Sequence, residues 1–92
     1  MPIVTHEPSA RRFEALVDGQ LSVAEYHLEG NVMHMTYTGV PPALRGHGIA
    51  AALVKEALAY ASAQGLKVNP LCSYVRVYMQ RHPETLGLLA AG

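Results

Sequence analysis

The sequence predicts a small α/β (α+β) domain: a three-stranded antiparallel meander, then a helix, a parallel strand and a second helix. Two observations support this β-β-β-α-β-α order. Residues 12–40 alternate apolar and polar side chains between turn-forming residues, a pattern typical of half-buried strands. From residue 49 onward the apolar side chains recur at a spacing of three and four residues, which is typical of a helix.

The meander is built from three strands and two short turns. Residues 12–17 form the first predicted strand, and Asp18-Gly19 is a strong signal for a two-residue hairpin turn. Residues 20–28 resume as a second strand, and residues 29–31 form the next turn. The third strand covers residues 32–40, which are rich in β-branched and aromatic side chains.

The second half of the chain is predicted to be mainly helical. A helix starts at Ile49 and stops at Gly65, because glycine commonly ends helices. A short strand at residues 67–68 follows, then a second helix over residues 73–82 with Ser73 as its N-cap. A right-handed crossover should place the last strand beside the third. We expect the tail, residues 85–92, to form a short turn or a frayed end.

Length and composition limit the kinds of protein this chain can be. Its 92 residues make one domain, residues 1–92. Because 50% of the residues are apolar and only 15% are charged, the chain can form a core and does not resemble a disordered segment. The formal net charge of zero gives no support to nucleic-acid binding. We expect a monomer or a homodimer.

The same composition bears on localisation. A single cysteine allows no internal disulfide, which fits a reducing compartment. No signal peptide is evident, and no stretch approaches the roughly 20 apolar residues of a membrane-spanning helix. The expectation is therefore a cytoplasmic protein without a membrane partner.

A glycine-rich loop joins the third strand to the first helix. The sequence Arg45-Gly46-His47-Gly48 stands directly before the helix and is followed by Ile49 and a run of alanines. The first turn of a helix presents backbone N–H groups without internal partners, and glycines let an anion approach them closely. Arg45 adds a charge suited to phosphate oxygens. The loop is therefore a candidate phosphate site, with a simple turn into the helix as the alternative.

Two familiar phosphate motifs do not fit this loop well. The Gly-Lys-Ser/Thr ending of a P-loop is absent. The dinucleotide pattern G-x-G-x-x-G is present only in a looser form, with Ala51 at the third glycine position. An antiparallel meander at the start of a short chain is also a poor match to a dinucleotide fold.

The stretch VPPALRGHGIAAALV resembles the coenzyme A pyrophosphate loop of the GCN5-related N-acetyltransferases, whose signature is [Q/R]-x-x-G-x-[G/A]. Arg45, Gly48 and Ala50 match its three fixed positions. A late P-x-C motif ending at Cys72, followed by R-H-P-E from Arg81, is similar to the short branch sometimes called YjdJ-type or NATD1-like. The resemblance covers about residues 13–84 and implies a minimal form of that family's fold.

The resemblance also implies a site for acetyl-CoA. The third strand would splay from its neighbour, pantetheine would lie in the resulting V, and the loop amides would hold the pyrophosphate. Residues 69–72 would flank the acyl end. The implied cofactor-binding residues are Thr38, Gly39, Val40, Arg45, Gly46, His47, Gly48, Ile49, Ala50 and Asn69. No metal is implied, since the histidines share no ligand spacing.

Cys72 is the first candidate catalytic residue. Acetyl transfer proceeds either by direct attack of the acceptor amine or in two steps through a nucleophilic side chain, and Cys72 is the sole thiol. Its place just before a helix favours a lowered thiol pKa. The alternative is that Cys72 is a small buried side chain near the acyl end.

Tyr37 is the second candidate, because relatives of the short branch commonly carry a histidine at its position as a candidate base. The phenol of a tyrosine is a poor general base near neutral pH but can act as an acid toward a leaving thiolate. Tyr37 is thus a catalytic acid, a wall of the pocket or a sign of lost activity. Strand alternation predicts that it shares a face with Met33 and Met35 and lies opposite His34.

Taken together, the residues and the resemblance predict an acetyl-CoA-dependent N-acetyltransferase. The acceptor would be an unidentified amine, with a peptide or protein favoured because little of the chain remains to enclose a metabolite. The alternative is a coenzyme A-binding module with little or no transferase activity, which the replacement by Tyr37 favours. Tyr74 and Tyr78 are expected to pack on the sheet, with contact between Tyr74 and the cofactor as a second possibility.

Overall fold

The computed structural model describes residues 2–90 as one mixed sheet with two α-helices. The strands are β1 (Thr5–Glu7), β2 (Arg12–Val17), β3 (Gln20–Glu29), β4 (Val32–Gly39) and β5 (Lys67–Pro70). The α-helices are α1 (Ile49–Ala63) and α2 (Ser73–Arg81). Short 3-10 turns occupy Pro8–Ala10, Pro42–Leu44 and Pro83–Leu88.

The sheet has the spatial order β1-β2-β3-β4-β5. The first four strands are antiparallel, and β5 lies parallel to β4 after the crossover through α1. The predicted fold class is confirmed, and so is the place of the last strand beside the third predicted one. Strand β5 extends to Pro70, beyond the predicted residues 67–68.

Two terminal segments make contacts that the sequence does not predict. Strand β1 has only three residues, too few to show an alternating pattern. The imidazole of His6 stacks on the Phe13 ring at 4.1 Å and hydrogen-bonds the Tyr26 hydroxyl, which anchors β1 to the sheet. At the other end, the Ala90 amide donates to the Val68 carbonyl (2.9 Å). Residues 91 and 92 of the predicted tail lie outside the described residues.

Both helices cover the same face of the sheet and build a single core with it. The opposite face, here called the open face, carries no helix and includes the half-buried Glu14, Val23 and Glu25. Buried side chains of the core include Phe13, Ala15, Ala24, Tyr26, Met33, Met35, Leu53, Val54, Leu58, Val68, Val75 and Met79.

A bulge in the β3–β4 ladder reverses the direction of the β4 side chains before the loop. Tyr26 pairs with Met35 and Glu25 pairs with Tyr37, so Thr36 is an extra residue in β4. Because paired residues share a face, Tyr37 lies on the open face while Met35 lies in the core. The prediction that Tyr37 shares a face with the two methionines is therefore wrong, since simple alternation ignores the bulge.

Candidate functional site

The glycine-rich loop adopts a conformation that its glycines make accessible. After the turn Pro42–Leu44, Gly46 and Gly48 have φ angles of 84° and 77°, values that favour glycine. Gly48 is the N-cap of α1, and no side chain caps this end of the helix. The helix therefore starts directly from the loop, with its N-terminus uncovered.

The start of α1 supplies hydrogen-bond donors to this loop. The Ala52 amide donates to the Gly48 carbonyl (3.0 Å), and the amides of Ile49, Ala50 and Ala51 precede that first helical bond. Arg45 is exposed and its Nε donates to the Val40 carbonyl (3.2 Å). Its guanidinium makes no ion pair with any residue between 2 and 90. This donor set suits an anion such as a pyrophosphate.

A cavity of about 440 Å³ opens beside the loop. Nine of the sequence-predicted site residues line it: Tyr37, Thr38, Gly39, Val40, Arg45, Gly46, Gly48, Ile49 and Ala50. Leu44, Ala51 and Tyr74 line it as well. Leu44 and Ala51 are not among the predicted coenzyme A-binding residues, whereas contact with the cofactor is the second possibility predicted for Tyr74.

Two of the predicted cofactor-binding residues lie elsewhere. His47 is exposed and lines a different cavity, on the side of the loop that faces Leu16 and Ile3. Asn69 lies on β5 opposite His34, and its side-chain Nδ2 donates to His34 Nδ1 (3.0 Å). Neither side chain lines the cavity beside the loop.

Strands β4 and β5 separate at the cavity. Their pairing ends at Met35 and Pro70, and the Cys72 amide then donates to the Met35 carbonyl (2.9 Å). Beyond this point, residues 37–39 of β4 pair with β3 and not with β5, and Thr36 is the extra residue of the bulge. One edge of the strand is thus left with unpaired backbone groups, of the kind that an extended ligand can bond.

Cys72 stands at the fork between the two strands, as the N-cap of α2. The predicted cap Ser73 is instead the first residue of that helix. The Cys72 thiol donates to the Thr38 hydroxyl (3.6 Å). Burial raises the pKa of the thiol, but hydrogen bonds from the Thr38 side chain and from amides at the start of α2 outweigh it, so the pKa is lowered overall.

Tyr37 lies on the open face of β4 and is 53% exposed. Its ring extends along the strand toward the loop and covers Gly39. The ring atoms Cε2 and Cζ lie 2.7 and 2.8 Å from the position that a β-carbon on Gly39 would take. The phenol therefore reaches toward the glycine-rich loop, away from the fork at Cys72.

His34 shares the open face with Tyr37, because it pairs with His27 and Tyr37 pairs with Glu25. The expectation that they lie on opposite faces is wrong for the same reason, the bulge at Thr36. Both nitrogens of His34 are engaged: Nδ1 accepts from Asn69 and Nε2 donates to Glu29 (3.2 Å). This histidine has no nitrogen left to act as a base.

Two kinds of feature are absent from residues 2–90. No group of three or more His, Cys, Asp or Glu side chains in this range is placed to hold a metal ion. No helix in the same range is long and apolar enough to cross a membrane.

The chain is similar to proteins of a known family. A family model described as "GCN5-related N-acetyl-transferase" matches residues 12–88. Protein NATD1 of Mus musculus is 32% identical over 83 residues, which span 87% of this chain and 76% of the mouse protein. Protein NATD1 of Homo sapiens is 32% identical over 83 residues, spanning 87% and 74%.

A solved structure has a similar fold. The solution NMR structure of a GCN5-like protein from Staphylococcus aureus superposes with a TM-score of 0.77, covering 98% of this chain and 89% of that one. At 19% sequence identity, this likeness concerns the fold alone.

Proposed function

This chain belongs to the GCN5-related N-acetyltransferase family, and on that premise we propose that it transfers an acetyl group from acetyl-CoA to an amine. The family supports a general acetyltransferase role. Acetyl-CoA as the acetyl donor and an amine as the acceptor are proposed in addition to this general role.

The observation that carries the proposal is the loop at the start of α1. The first amides of α1, together with the guanidinium of Arg45, which makes no ion pair with any residue between 2 and 90, form a donor set for a pyrophosphate. The adjoining cavity leads from this loop to the unpaired edge of β4. Residues 36–39 would orient the pantetheine arm through backbone hydrogen bonds, and the amides of this edge would stabilise a developing oxyanion.

The reaction balances without any metal. In direct transfer, the amine nitrogen forms a bond to the thioester carbonyl carbon, the carbon–sulfur bond breaks, and the leaving thiolate keeps the electron pair and takes a proton. In the two-step route, the Cys72 thiolate attacks the thioester carbonyl carbon and coenzyme A leaves as a thiolate. The amine then attacks the acetyl carbon on Cys72, the carbon–sulfur bond to Cys72 breaks, and the proton that the amine loses goes to the thiolate. The lowered pKa of Cys72 makes its thiolate more available for that route.

A second function is supported by the positions of His34 and Tyr37, neither of which is available as a base at the fork. His34 has both nitrogens engaged, and Tyr37 extends toward the loop rather than toward Cys72. These observations favour a coenzyme A-binding module with little transferase activity. Release of free coenzyme A in the presence of a broad panel of amines, peptides and proteins separates the two functions, since a binding module releases none.

Thermal unfolding with and without acetyl-CoA tests the loop assignment. We expect the wild type to be stabilised by about 10 °C or more when the ligand is about 100-fold above its Kd. Arg45→Glu should weaken binding by about tenfold or more, because it reverses the charge that faces the pyrophosphate. Arg81→Glu is the matched control, since Arg81 is exposed at the end of α2 and lines no part of the loop cavity.

The control variant should bind acetyl-CoA as the wild type does. If the wild type is not stabilised at all, both the transferase and the binding module are excluded. Equal losses in Arg45→Glu and Arg81→Glu would show that the effect is one of overall charge and would contradict the loop assignment.

A further inference from the structure

Three exposed aliphatic side chains form a row across the open face of the sheet. Leu16 of β2 and Leu21 of β3 are direct cross-strand partners and are 70% and 42% exposed. Ile3 lies two residues before β1 and is 85% exposed. Because Ala15 and Val4 belong to the core side, alternation places their neighbours Leu16 and Ile3 on the open face. We call Ile3, Leu16 and Leu21 the aliphatic row.

A cavity of about 550 Å³ adjoins the aliphatic row. Ile3 and Leu16 form part of its wall, and apart from Asp18 and His47 its lining is apolar. Neighbouring exposed aliphatic side chains on an uncovered face are typical of an interaction surface. An apolar cavity beside them can take one large anchor side chain of a partner.

The direction of the aliphatic row indicates which kind of segment fits it. The row runs across the strands, and neighbouring strands lie about 4.8 Å apart, so its three positions span about 10 Å. An α-helix that crosses the strands presents one side chain per turn, at i, i+3 or i+4 and i+7, over about 10.5 Å. The side chains on one face of an extended segment are about 6.8 Å apart. The spacing of the row therefore matches a helix.

Acidic side chains border the aliphatic row on both sides. Asp18 is exposed in the hairpin turn beyond Leu16, while Glu14 and Glu25 lie further along the open face. Arg12 is the one lysine or arginine in β2 and β3, and its Nε already bonds Glu14 (2.8 Å). The charge that faces a partner on these two strands is therefore negative.

We propose that the aliphatic row and its cavity dock an amphipathic helix of a partner protein. Aliphatic side chains of that helix lie on the row, and its lysine or arginine side chains face Asp18 and Glu25. This interface goes beyond the proposed acetyl transfer and does not depend on it. A second copy of the chain is a poorer occupant, because two open faces brought together would oppose their own carboxylates.

Binding of a defined peptide tests the apolar part of the interface. The probe is a fluorescein-labelled helical peptide of about 15 leucine and lysine residues with the leucines on one face, and its anisotropy is followed as the 92-residue chain is added. Leu16→Ser should weaken binding about tenfold, because one leucine is no longer buried. Val77→Ser is the matched control, since it removes an exposed aliphatic side chain from α2, and it should bind as the wild type does. An unchanged Kd in Leu16→Ser, or equal losses in both variants, would overturn the proposal.

A pair of charge variants tests the acidic border. Asp18→Asn combined with Glu25→Gln removes two charges beside the row, and asparagine tolerates the left-handed backbone of position 18 (φ 51°). We expect this double variant to bind the peptide about threefold more weakly at low salt. Glu56→Gln combined with Glu84→Gln removes the same charge from exposed positions of α1 and the last 3-10 turn, so its Kd should stay close to that of the wild type. Equal weakening in both double variants would reveal non-specific attraction and contradict the docking surface.

Two further measurements identify the occupant. A peptide with glutamate in place of lysine should bind about tenfold more weakly or less tightly still, and equal binding of the two peptides would contradict the charge complementarity. Sedimentation equilibrium of the wild type alone should show no dimer that Leu16→Ser dissociates. Such a dimer would mean that a second copy covers the row, and absence of any binding of the lysine peptide at about 1 mM would exclude the helix; either result overturns the proposal.

Discussion

The ring of Tyr37 lies across Gly39, two residues further along the same strand, in the space that a β-carbon would occupy. Both residues line the cavity beside the glycine-rich loop. Gly39 is not in the left-handed region of backbone space, so a turn does not require glycine at this position. Its lack of a side chain instead makes room for the Tyr37 ring. The pair therefore shapes the wall of the cavity as one unit.

Gly39→Ala should move the Tyr37 ring off the strand. In the wild-type background we expect a loss of about 1 kcal/mol in the free energy of unfolding, because an exposed ring can rotate away at modest cost. In a Tyr37→Ala background the same change should be neutral or stabilising by about 0.5 kcal/mol, since alanine is favoured over glycine in a strand. Denaturant unfolding of the four proteins measures the difference; equal effects in both backgrounds would contradict the contact.

Tyr37→Phe should keep the transfer rate within about twofold, because the hydroxyl extends toward the loop and not toward the fork at Cys72. Tyr37→Ala should instead raise KM for acetyl-CoA by opening the cavity wall. Steady-state kinetics with any acceptor found in the screen will distinguish these effects. A fall in kcat of about 100-fold in Tyr37→Phe would identify the phenol as a general acid.

Thr38→Val should make Cys72 less reactive. The Thr38 hydroxyl can donate to the Cys72 thiolate, and its hydrogen bond is one cause of the lowered thiol pKa. Without it the pKa rises, and alkylation by iodoacetamide near pH 7.5 should slow by severalfold because less thiolate is present. Ser73→Ala is a control with an intact hydroxyl at Thr38. An unchanged alkylation rate in Thr38→Val would show that the Thr38 hydroxyl does not make Cys72 more reactive.

Acidification should weaken the attachment of β1 through His6. Burial lowers the pKa of this histidine below 6.5, against a smaller opposing effect of the Glu7 carboxylate. The unfolded chain therefore binds this proton at a higher pH than the folded chain, and the free energy of unfolding falls as the pH drops below about 6.5. His6→Gln should show a shallower fall between pH 7 and 5. A wild-type slope in His6→Gln would contradict the assignment.

Ser22→Ala should stabilise the protein. The Ser22 hydroxyl is fully buried on β3 and has no hydrogen-bond partner among residues 2–90. Removing an unsatisfied buried hydroxyl should add about 1 kcal/mol, or about 5 °C in Tm for a domain of this size. Ser9→Ala, an exposed change in the turn Pro8–Ala10, should leave Tm unchanged. A destabilised Ser22→Ala would mean that the hydroxyl has a partner in solution.

The sequence was enough to predict the fold because its strong signals are local. The alternation in residues 12–17, the Asp18-Gly19 turn and the apolar stripe from Ile49 each report on a few neighbouring residues. The short strand β1 gave no such signal, because its stability comes from stacking of His6 on Phe13. Because that contact is made between two strands, it produces no alternating pattern of side chains in the sequence.

The sequence predicts the loop residues of the candidate site well. It predicts less well the directions in which the strand side chains point. Arg45 and the two loop glycines line the cavity as the motif implies. The direction of Tyr37 depends on the extra residue Thr36 in the ladder with β3. A bulge of this kind arises from the pairing of two strands, so alternation within one strand could not predict it.

The start of α1 has no side-chain cap, so the helix is less stable than it could be but its first amides stay available to a ligand. A polar N-cap side chain would satisfy one or two of the first amides and add about 1 kcal/mol to the helix, but it would occupy the donors that an anion needs. Gly48 leaves them vacant. A polar N-cap at position 48 is therefore expected to raise thermal stability and to lower ligand affinity. A screen for stabilising substitutions should leave this position unchanged.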